Sequence, residues 1–478
     1  MLFVQQPKTC VHRSLAMEEK KQRPHLLAVP FPALGNINPM LQLCKTLVSN
    51  GFFITFLISN KRETFLATEQ QATGQHLRFV YLPDAFIPEA FSVTTVPLQF
   101  VAILEKNLKL AVPEIIRDIM TDDSLPRVSC ILTDLAITSL QDVAHQFGIC
   151  KVSLSTFSAS WLSIENGLLV LEENGLLPLK GTSRIIDFVP GLPPISGLDF
   201  PSHLQEVHAV DPDFSLRYTR NQIIRSDALV FINSFYELET SQLDQLARDT
   251  PQFVPIGPLL PSFAFDGQVG VDEHEQERCG FWTEDMSCLD WLDQQPFKSV
   301  IYVSFGSLAS ASPDQIKQLY TGLVQSDYPF LWVIRPDNDE LRKLFDDPSY
   351  DKCKFVSWAP QLKVLKHRSV GAFLTHCGWN SVLETIVAGV PVLGWPFLFD
   401  QPLNCALAVE HWKIGSRLPP GPDATLVEKA VKDMMGEAGQ MWRDNVTKLA
   451  ISARDAVSDG GLSHRNLEAF KCKMEIVS

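Results

Sequence analysis

Residues 370–394 read VGAFLTHCGWNSVLETIVAGVPVLG, and this stretch decides the fold. Its two ends, VGAFLTH and VPVLG, are the short apolar runs that buried parallel strands show. The segment between them, GWNSVLETIVAG, is typical of a helix that ends at Gly389. A strand, a helix and a second strand in this order form the repeating unit of a parallel α/β sheet.

Polar side chains surround the junction between that first strand and the helix. A glycine junction of this kind presents backbone N–H groups and the positive end of the helix dipole. His376 before it, with Asn380 and Ser381 in the first turn, adds hydrogen-bond donors for a phosphate group. Glu384, one turn after Asn380, could accept hydrogen bonds from ribose hydroxyls. Taken alone, the junction fits an ordinary capped helix with a buried Trp379 equally well.

The same alternation of strand and helix extends in both directions along the chain. After the apolar run at 25–32 we expect Asn38 to cap a helix and Pro39 to occupy its first position. Ser312 and Pro313 repeat that pattern later in the chain. The alternation predicts doubly wound parallel sheets. The further expected strands are HLLAVPFP (25–32), FFITFLIS (52–59), VSCILTD (128–134), KVSLS (151–155), DALVFINS (227–234), SVIYVSFGS (299–307), FLWVIRP (330–336) and KFVSW (354–358).

The length of 478 residues allows two to three domains, at roughly 100–200 residues per domain. The start of the chain lacks a signal-peptide pattern; a disordered tail is favoured there over an organellar transit segment. The expected divisions are a tail at 1–24, an N-terminal α/β domain at 25–255, an exposed linker at 256–298, a C-terminal α/β domain at 299–455, and a C-terminal helix at 456–478 that packs back on the N-terminal domain.

Composition excludes several classes of protein. The 41 Lys and Arg residues against 55 Asp and Glu residues give a net charge of −14, which disfavours a nucleic-acid partner. The sequence contains no apolar run long enough for a conventional transmembrane helix. Its 10 cysteines form no CxxC and no Cys/His group with zinc spacing, so we expect no metal and a reduced, cytoplasmic protein.

Two common nucleotide-binding motifs are also missing. No GxGxxG follows the first strand of either α/β set, and no GxxxxGK[ST] occurs. A nicotinamide-dependent dehydrogenase and a P-loop NTPase therefore lose their main support.

The residues from Trp358 to Gln401 carry a specific resemblance. They read WAPQLKVLKHRSVGAFLTHCGWNSVLETIVAGVPVLGWPFLFDQ. This resembles the signature box of plant secondary-product glycosyltransferases that use UDP-sugars. The segments PFPALGNINPMLQL, NSFYELE, PIGPLLP, CLDWLDQ and YVSFGS are similar to that family as well. The resemblance implies the GT-B fold, in which two Rossmann-like domains face each other across the active-site cleft.

The resemblance also implies a role for each donor-site residue. The N-terminal domain would take a small-molecule acceptor and the C-terminal domain would take UDP-glucose, in a protein that we expect to be a monomer. Gln401 at the end of the box favours glucose, where a histidine would favour galactose. By this likeness Trp358 stacks on the uracil and the Ala359 backbone bonds to it, Gln361 and Glu384 hold the ribose, Ser307, His376, Asn380 and Ser381 bind the diphosphate, and Trp379, Asp400 and Gln401 hold the sugar hydroxyls.

The family's catalytic histidine is absent. The family pattern after the first strand is G-H-x-x-P, and this chain has Gly35-Asn36-Ile37-Asn38-Pro39. Asn36 occupies the histidine position, whereas the aspartate that would orient the histidine is retained as Asp134. A neutral amide cannot act as a general base, and such a base contributes about 10²–10⁴-fold to a rate. His25 opens the same strand, roughly 20 Å from its far end, and is too distant to replace it.

Four hypotheses accommodate Asn36. Asn36 positions the acceptor and Asp134 takes the proton directly or through water; or the acceptor is a carboxylate, acidic phenol, thiol or amine that needs little help. Alternatively the chain is a UDP-sugar-binding pseudoenzyme, or Asn36 is an inactivating change in an active enzyme. The intact donor box indicates donor binding under all four hypotheses and favours an active transferase. The resemblance implies that such a transferase inverts the anomeric carbon and forms a β-glucoside.

The acceptor pocket is expected in N-terminal loops near 85–110 and 155–225. Thr156 or Ser158 could reach the sugar or the diphosphate. Aromatic walls would suit an apolar acceptor, although each of these side chains could equally belong to the core. The candidate walls are Phe86, Phe91, Phe100, Phe157 and Trp161.

Overall fold

The computed structural model describes residues 23–58, 76–82, 98–206, 221, 223–265, 284–306, 311–334 and 352–477. Fifteen strands lie in these ranges. They are β1 His25–Val29, β2 Phe53–Ile58, β3 Leu77–Tyr81, β4 Val128–Asp134, β5 Cys150–Ser155, β6 Ile185–Ile186, β7 Ile195–Ser196, β8 Leu229–Ile232, β9 Phe253–Pro255, β10 Val300–Ser304, β11 Phe330–Val333, β12 Cys353–Val356, β13 Val370–Thr375, β14 Val392–Gly394 and β15 Gly415–Arg417.

Helices connect most of these strands. Short 3₁₀ turns at Gly197–Asp199 and Ser202–Gln205 and a π-helical turn at Leu407–His411 supplement them. The α-helices are α1 Leu34–Ser49, α2 Leu98–Thr121, α3 Leu140–Phe147, α4 Ala159–Asn166, α5 Leu168–Glu173, α6 Thr240–Asp249, α7 Ser287–Asp293, α8 Pro313–Ser326, α9 Gln361–Lys366, α10 Trp379–Ala388, α11 Gln401–Ala406, α12 Ala424–Met435, α13 Gln440–Val457 and α14 Leu462–Val477.

Thirteen of these strands form two parallel sheets with crossover helices, and β6 and β7 form a separate antiparallel pair. The first has the order β3-β2-β1-β4-β5-β8-β9 and the second has the order β12-β11-β10-β13-β14-β15. All neighbours within both sheets pair in parallel. In each sheet the strand order reverses beside the first strand of the set, which is where open α/β sheets bind ligands. The doubly wound α/β architecture predicted from the sequence is therefore confirmed.

Helix α1 begins earlier than the sequence predicted. Ala33 is its N-cap residue, and the amides of Asn36 and Ile37 both donate to the Ala33 carbonyl. The prediction that Asn38 caps this helix with Pro39 in first position is therefore wrong. Pro39 lies inside the helix, where its missing N–H leaves the carbonyl of Gly35, four residues earlier, without its usual helical partner. Asn36 accordingly stands in the first turn of a helix.

Helix α8 follows the predicted capping pattern. The Ser312 hydroxyl accepts from the backbone N–H of Gln315, and the Gln315 side-chain oxygen accepts from the backbone N–H of Ser312. Pro313 takes the first position of the helix. Helix α10 ends as predicted at Gly389, whose φ of 68° is the left-handed conformation that glycine adopts readily.

The last helix packs on the first sheet. Phe470 and Met474 belong to the apolar cluster formed by β1, β2 and helix α1, and the Phe470 ring stacks on Phe52 with centroids 5.9 Å apart. The Ser463 hydroxyl donates to the Gly257 carbonyl at 2.6 Å. The end of the chain therefore spans both halves of the molecule, since helix α13 packs against α10 of the second sheet.

The expected linker contains an ordered element. Cys288 and Leu292 of helix α7 are fully buried against strands of the second sheet. Packing on that sheet thus begins before residue 299, and helix α13 continues through the division expected at 455. Over the described ranges no helix is long and apolar enough to cross a membrane.

Candidate active site

The carboxyl ends of β1, β4 and β5 bring together three polar side chains. Asn36 follows β1, Asp134 ends β4 and Thr156 follows β5. The Asn36 Nδ2 donates to Asp134 Oδ2 at 2.9 Å and to Thr156 Oγ1 at 2.8 Å. The other carboxylate oxygen of Asp134 accepts from the Ala136 amide at 2.8 Å. The sequence predicted the Asn36–Asp134 pair, and Thr156 completes it.

This arrangement leaves the Asn36 side chain able only to accept a hydrogen bond from a ligand. Both hydrogens of its amide group are donated inward, so Oδ1 is the atom left for a ligand, and it is only an acceptor. Asp134 is 1% exposed and lies behind the amide. His25 offers no substitute base, because it is buried between the Pro126 carbonyl and Thr55, and burial lowers its pKa to about 4.

His376 lies in a slot made by two glycines at the end of β13. A Cβ on Gly306 would come within 2.8 Å of its ring, and a Cβ on Gly378 within 2.6 Å of its Nε2. Burial lowers the pKa of His376 to about 4, so its imidazole is neutral at about pH 7 and retains an N–H donor. The neighbouring Cys377 has a φ of 62°, which is uncommon for a residue with a side chain and turns the backbone into helix α10.

A hydrogen-bonded carboxylate, that of Glu384, lies in the second turn of helix α10. Gln361 Nε2 donates to Glu384 Oε2 at 2.5 Å and to Ser381 Oγ at 3.0 Å, while its Oε1 accepts from Tyr302 at 3.2 Å. With both amide hydrogens donated to Glu384 and Ser381, Gln361 orients Glu384 and has no donor left for a ribose hydroxyl. Burial raises the pKa of Glu384 to about 7, so its charge responds to neutral pH. Trp358 and Ala359 precede α9, separated from it by Pro360, and Trp358 is half-buried.

The predicted sugar-binding pair closes the loop after β14. Asp400 accepts from Asn404 Nδ2 at 2.6 Å and from the Trp379 amide, and burial raises its pKa to about 6. Gln401 Oε1 accepts from the Phe397 and Leu398 amides at 2.9 and 3.0 Å. These two bonds fix the plane of the Gln401 side-chain amide and leave its Nε2 as the donor for a ligand.

Trp379 differs from its predicted role. Its indole N–H donates to the Asn233 carbonyl at 2.7 Å, and the side chain is 3% exposed. The indole therefore joins the two halves of the molecule and has no donor for a sugar hydroxyl. The sequence could not indicate this, because the two residues are 146 positions apart.

Asn380 also reaches the N-terminal half. Its Nδ2 donates to the Gly35 carbonyl at 2.9 Å, the carbonyl that Pro39 leaves open in helix α1. The predicted phosphate-binding turn is thus in direct contact with the helix that carries Asn36. Ser307, the remaining predicted diphosphate ligand, lies outside the described residues.

The expected acceptor walls are divided by the structure. Phe100 is a core residue of helix α2, packed against Phe31, so residues 98–110 are helix where a loop was expected. Phe157 and Trp161 are half-buried and stack with centroids 4.4 Å apart. Phe86 and Phe91 lie outside the described part of the chain.

Sequence reasoning missed a buried carboxylate near these aromatics. Glu239 accepts from the amides of Ala159 and Ser160 and from the Ser234 hydroxyl at 2.6–2.9 Å. It stabilises the start of helix α4, directly after Thr156 and Phe157. Its position in NSFYELE was visible, but the helix it caps lies about 80 residues earlier.

The two parallel sheets, with polar residues where strands of each sheet end, define the class of protein. It is a glycosyltransferase of the GT-B fold, built from two Rossmann-like domains. The family described as UDP-glucoronosyl and UDP-glucosyl transferase matches residues 218–456.

Known relatives are similar to this chain over nearly its whole length. Linamarin synthase 1 of Manihot esculenta is 31% identical over 470 residues, which cover 94% of this chain and 96% of the relative. Phytolacca americana UGT2, solved with UDP-2fluoro-glucose and pterostilbene, has a TM-score of 0.80 at 28% identity and covers 94% of this chain and 99% of that one. A UDP-glucosyltransferase from Polygonum tinctorium capable of glucosylating indoxyl, solved with 3,4-dichloroaniline, has a TM-score of 0.78 at 28% identity, over 95% and 98% of the two chains.

The chain belongs to the UDP-glucoronosyl and UDP-glucosyl transferase family. The resemblance drawn from the signature box is therefore confirmed.

Proposed function

We propose that this chain transfers glucose from UDP-glucose to a small, largely apolar acceptor and inverts the anomeric centre. The acceptor gives its proton to water, and its nucleophilic atom attacks C1 of the sugar. The bond from C1 to the β-phosphate oxygen breaks, and its electron pair leaves with UDP. The α-linked donor then becomes a β-linked product. In this proposal residues 25–255 hold the acceptor and residues 299–455 hold the donor.

The donor half of the proposal is supported by preorganised polar groups. The Gln361–Glu384 pair offers a carboxylate to the ribose hydroxyls, and Asp400 with Gln401 offers an acceptor and a donor to the sugar hydroxyls. Neutral His376 at the start of helix α10 offers a donor to the diphosphate. Charge that develops on departing UDP is stabilised at such a helix N-terminus.

The acceptor half rests on one observation, the placement of Asn36. With Nδ2 donated to Asp134 and Thr156, Oδ1 can accept a hydrogen bond from the acceptor but cannot remove its proton at neutral pH. Asn36 therefore positions the nucleophile. The reaction is then fastest for acceptors that lose their proton readily, such as carboxylates, acidic phenols and thiols. Phe157 and Trp161 provide an aromatic surface suited to an apolar ring.

The test is a transfer assay with UDP-glucose and an alcohol, a phenol, a carboxylic acid, a thiol and an amine, read by mass spectrometry. The native chain is expected to glucosylate the acidic acceptors and to leave the alcohol unreacted. Asn36→His is expected to gain activity on the weakly acidic phenol and the alcohol by about 10²-fold or more, since an imidazole bonded to Asp134 is a general base. Equal activity of both proteins on the alcohol would contradict the proposal.

A second function is favoured by the same side chain. Without a general base, the chain could bind a UDP-sugar without transferring it. In that case the native chain binds UDP-glucose but transfers glucose to none of the five acceptors. Activity of Asn36→His alone would then identify a binding protein with a competent scaffold.

A further inference from the structure

A turn of the N-terminal half is bonded to the loop that carries the proposed sugar-binding pair. The Phe399 amide donates to Ser202 Oγ at 2.9 Å, and the Ser202 amide donates to the Phe399 carbonyl at 3.0 Å. Phe399 directly precedes Asp400 and Gln401 in the chain. Ser202 belongs to the 3₁₀ turn Ser202–Gln205, almost 200 residues earlier.

The Ser202 turn is firmly seated on the C-terminal half. Phe200 and Leu204 stand two residues before and after Ser202. Both are fully buried and pack in one apolar cluster with Leu403 and Leu407 of the opposite half. The nearby Asp199 pairs with Arg417 at 2.6 Å. Because both flanking side chains are packed, the Ser202 hydroxyl is held in place rather than free to rotate away with a mobile loop.

Phe399 needs such support. Its φ of 57° is the left-handed conformation, which residues with a side chain adopt rarely. The amides of Phe397 and Leu398 both donate to Gln401 Oε1, and the third consecutive amide, that of Phe399, donates to Ser202. Ser202 thus completes the set of bonds that shapes this loop and sets the plane of the Gln401 amide.

We infer that Ser202 is a positioning residue for the donor sugar, acting through Phe399 on Asp400 and Gln401. The inference rests on the proposed UDP-glucose function. It predicts that the N-terminal half contributes to recognition of the sugar without touching it. In the proposed function the uridine diphosphate part of the donor is held by other residues, from Trp358 to Glu384, so its binding is not expected to depend on Ser202.

The experiment compares UDP-glucose with UDP, by calorimetry without acceptor, in the full chain. Ser202→Ala is expected to weaken UDP-glucose binding about tenfold, the loss typical of one partly buried hydrogen bond, and to leave UDP binding unchanged. Ser202→Thr keeps the hydroxyl and is expected to restore UDP-glucose affinity. Ser196→Ala is the matched control, because that hydroxyl accepts only from the local Leu198 amide, and it is expected to bind both ligands normally.

Each other outcome overturns the inference. If Ser202→Ala binds UDP-glucose as tightly as the native chain, Ser202 has no positioning role and the proposed function stands. If Ser202→Ala loses UDP and UDP-glucose equally, the serine maintains the fold and does not act on the sugar subsite. If the native chain binds UDP-glucose no more tightly than UDP, the inference and the proposed donor fail together.

Discussion

In the proposed function, Asn36 in place of a histidine changes the chemistry while the hydrogen bond to Asp134 is kept. It makes the bond to Asp134 that the family's histidine would make, so the position and its partner are retained. What is lost is the second imidazole nitrogen, which would take a proton at neutral pH. The consequence falls on the acceptor, because a nucleophile that cannot be deprotonated by the protein must ionise more easily itself.

If Glu384 holds the donor as proposed, UDP-glucose binding is expected to depend on pH. Burial raises its pKa to about 7, and only the carboxylate form accepts hydrogen bonds at both oxygens. Since a raised pKa means that the group is protonated below neutrality, we expect the KM for UDP-glucose to fall severalfold as pH rises from about 6 to about 8.

Glu384→Gln provides the control for that pH profile. It cannot ionise, so the dependence near neutrality should disappear, leaving the weaker change from Asp400, whose pKa burial raises to about 6. A native pH profile of KM that is flat across this range would show that Glu384 does not contact the donor.

At the scale of single elements, the β13–α10 junction depends on glycine to admit His376. Gly306→Ala would place a Cβ within 2.8 Å of the His376 ring and displace it. We expect UDP affinity to fall at least tenfold, which calorimetry with UDP would measure.

Gly148→Ala separates this steric effect from backbone strain. Gly148 has a φ of 65°, against 64° for Gly306, but a Cβ there meets no atom within 4 Å. Backbone strain should lower the unfolding free energy of both variants by about 1 kcal/mol. Gly306→Ala should lose more, because its Cβ also meets the His376 ring. Loss of UDP affinity in both, or in neither, would contradict the role given to the His376 slot.

The elements were largely predictable because their signals are local. Apolar runs located β4 and β10, and Gly389 located the end of α10. The start of helix α1 was predicted five residues too late, because an Asn-Pro pair is a common helix start and the two amides bonded to Ala33 leave no trace in the sequence. The signature box predicted donor-site roles for Glu384 and Asp400 in the same local way.

At the scale of the whole molecule, contacts between the halves were not predictable. The bonds from Trp379 to Asn233, from Asn380 to Gly35, and from Phe399 to Ser202 join residues 146 to 345 positions apart. No spacing rule connects such residues, since only the folded arrangement of both sheets brings them together. Roles for donor-box side chains could therefore be inferred one by one, whereas their partners across the cleft could not.

The C-terminal helix is expected to stabilise the N-terminal sheet. Phe470→Ala removes a buried ring that contacts Phe52 and Phe231, and we expect a loss of about 3–5 kcal/mol in urea unfolding. Ile476→Ala on the same helix, 85% exposed, should change little. Equal unfolding free energies for both variants would show that helix α14 does not hold the first sheet.

The central claim is that Asn36 positions the acceptor and does not deprotonate it. The most direct measurement is the rate of UDP-glucose transfer to a series of substituted phenols of graded acidity, for the native chain and for Asn36→His. We predict that the native rate rises steeply with the acidity of the phenol at fixed pH, and that the Asn36→His rate depends on acidity much less. A native rate as insensitive to acidity as that of Asn36→His would contradict the claim, because another group would then be taking the proton.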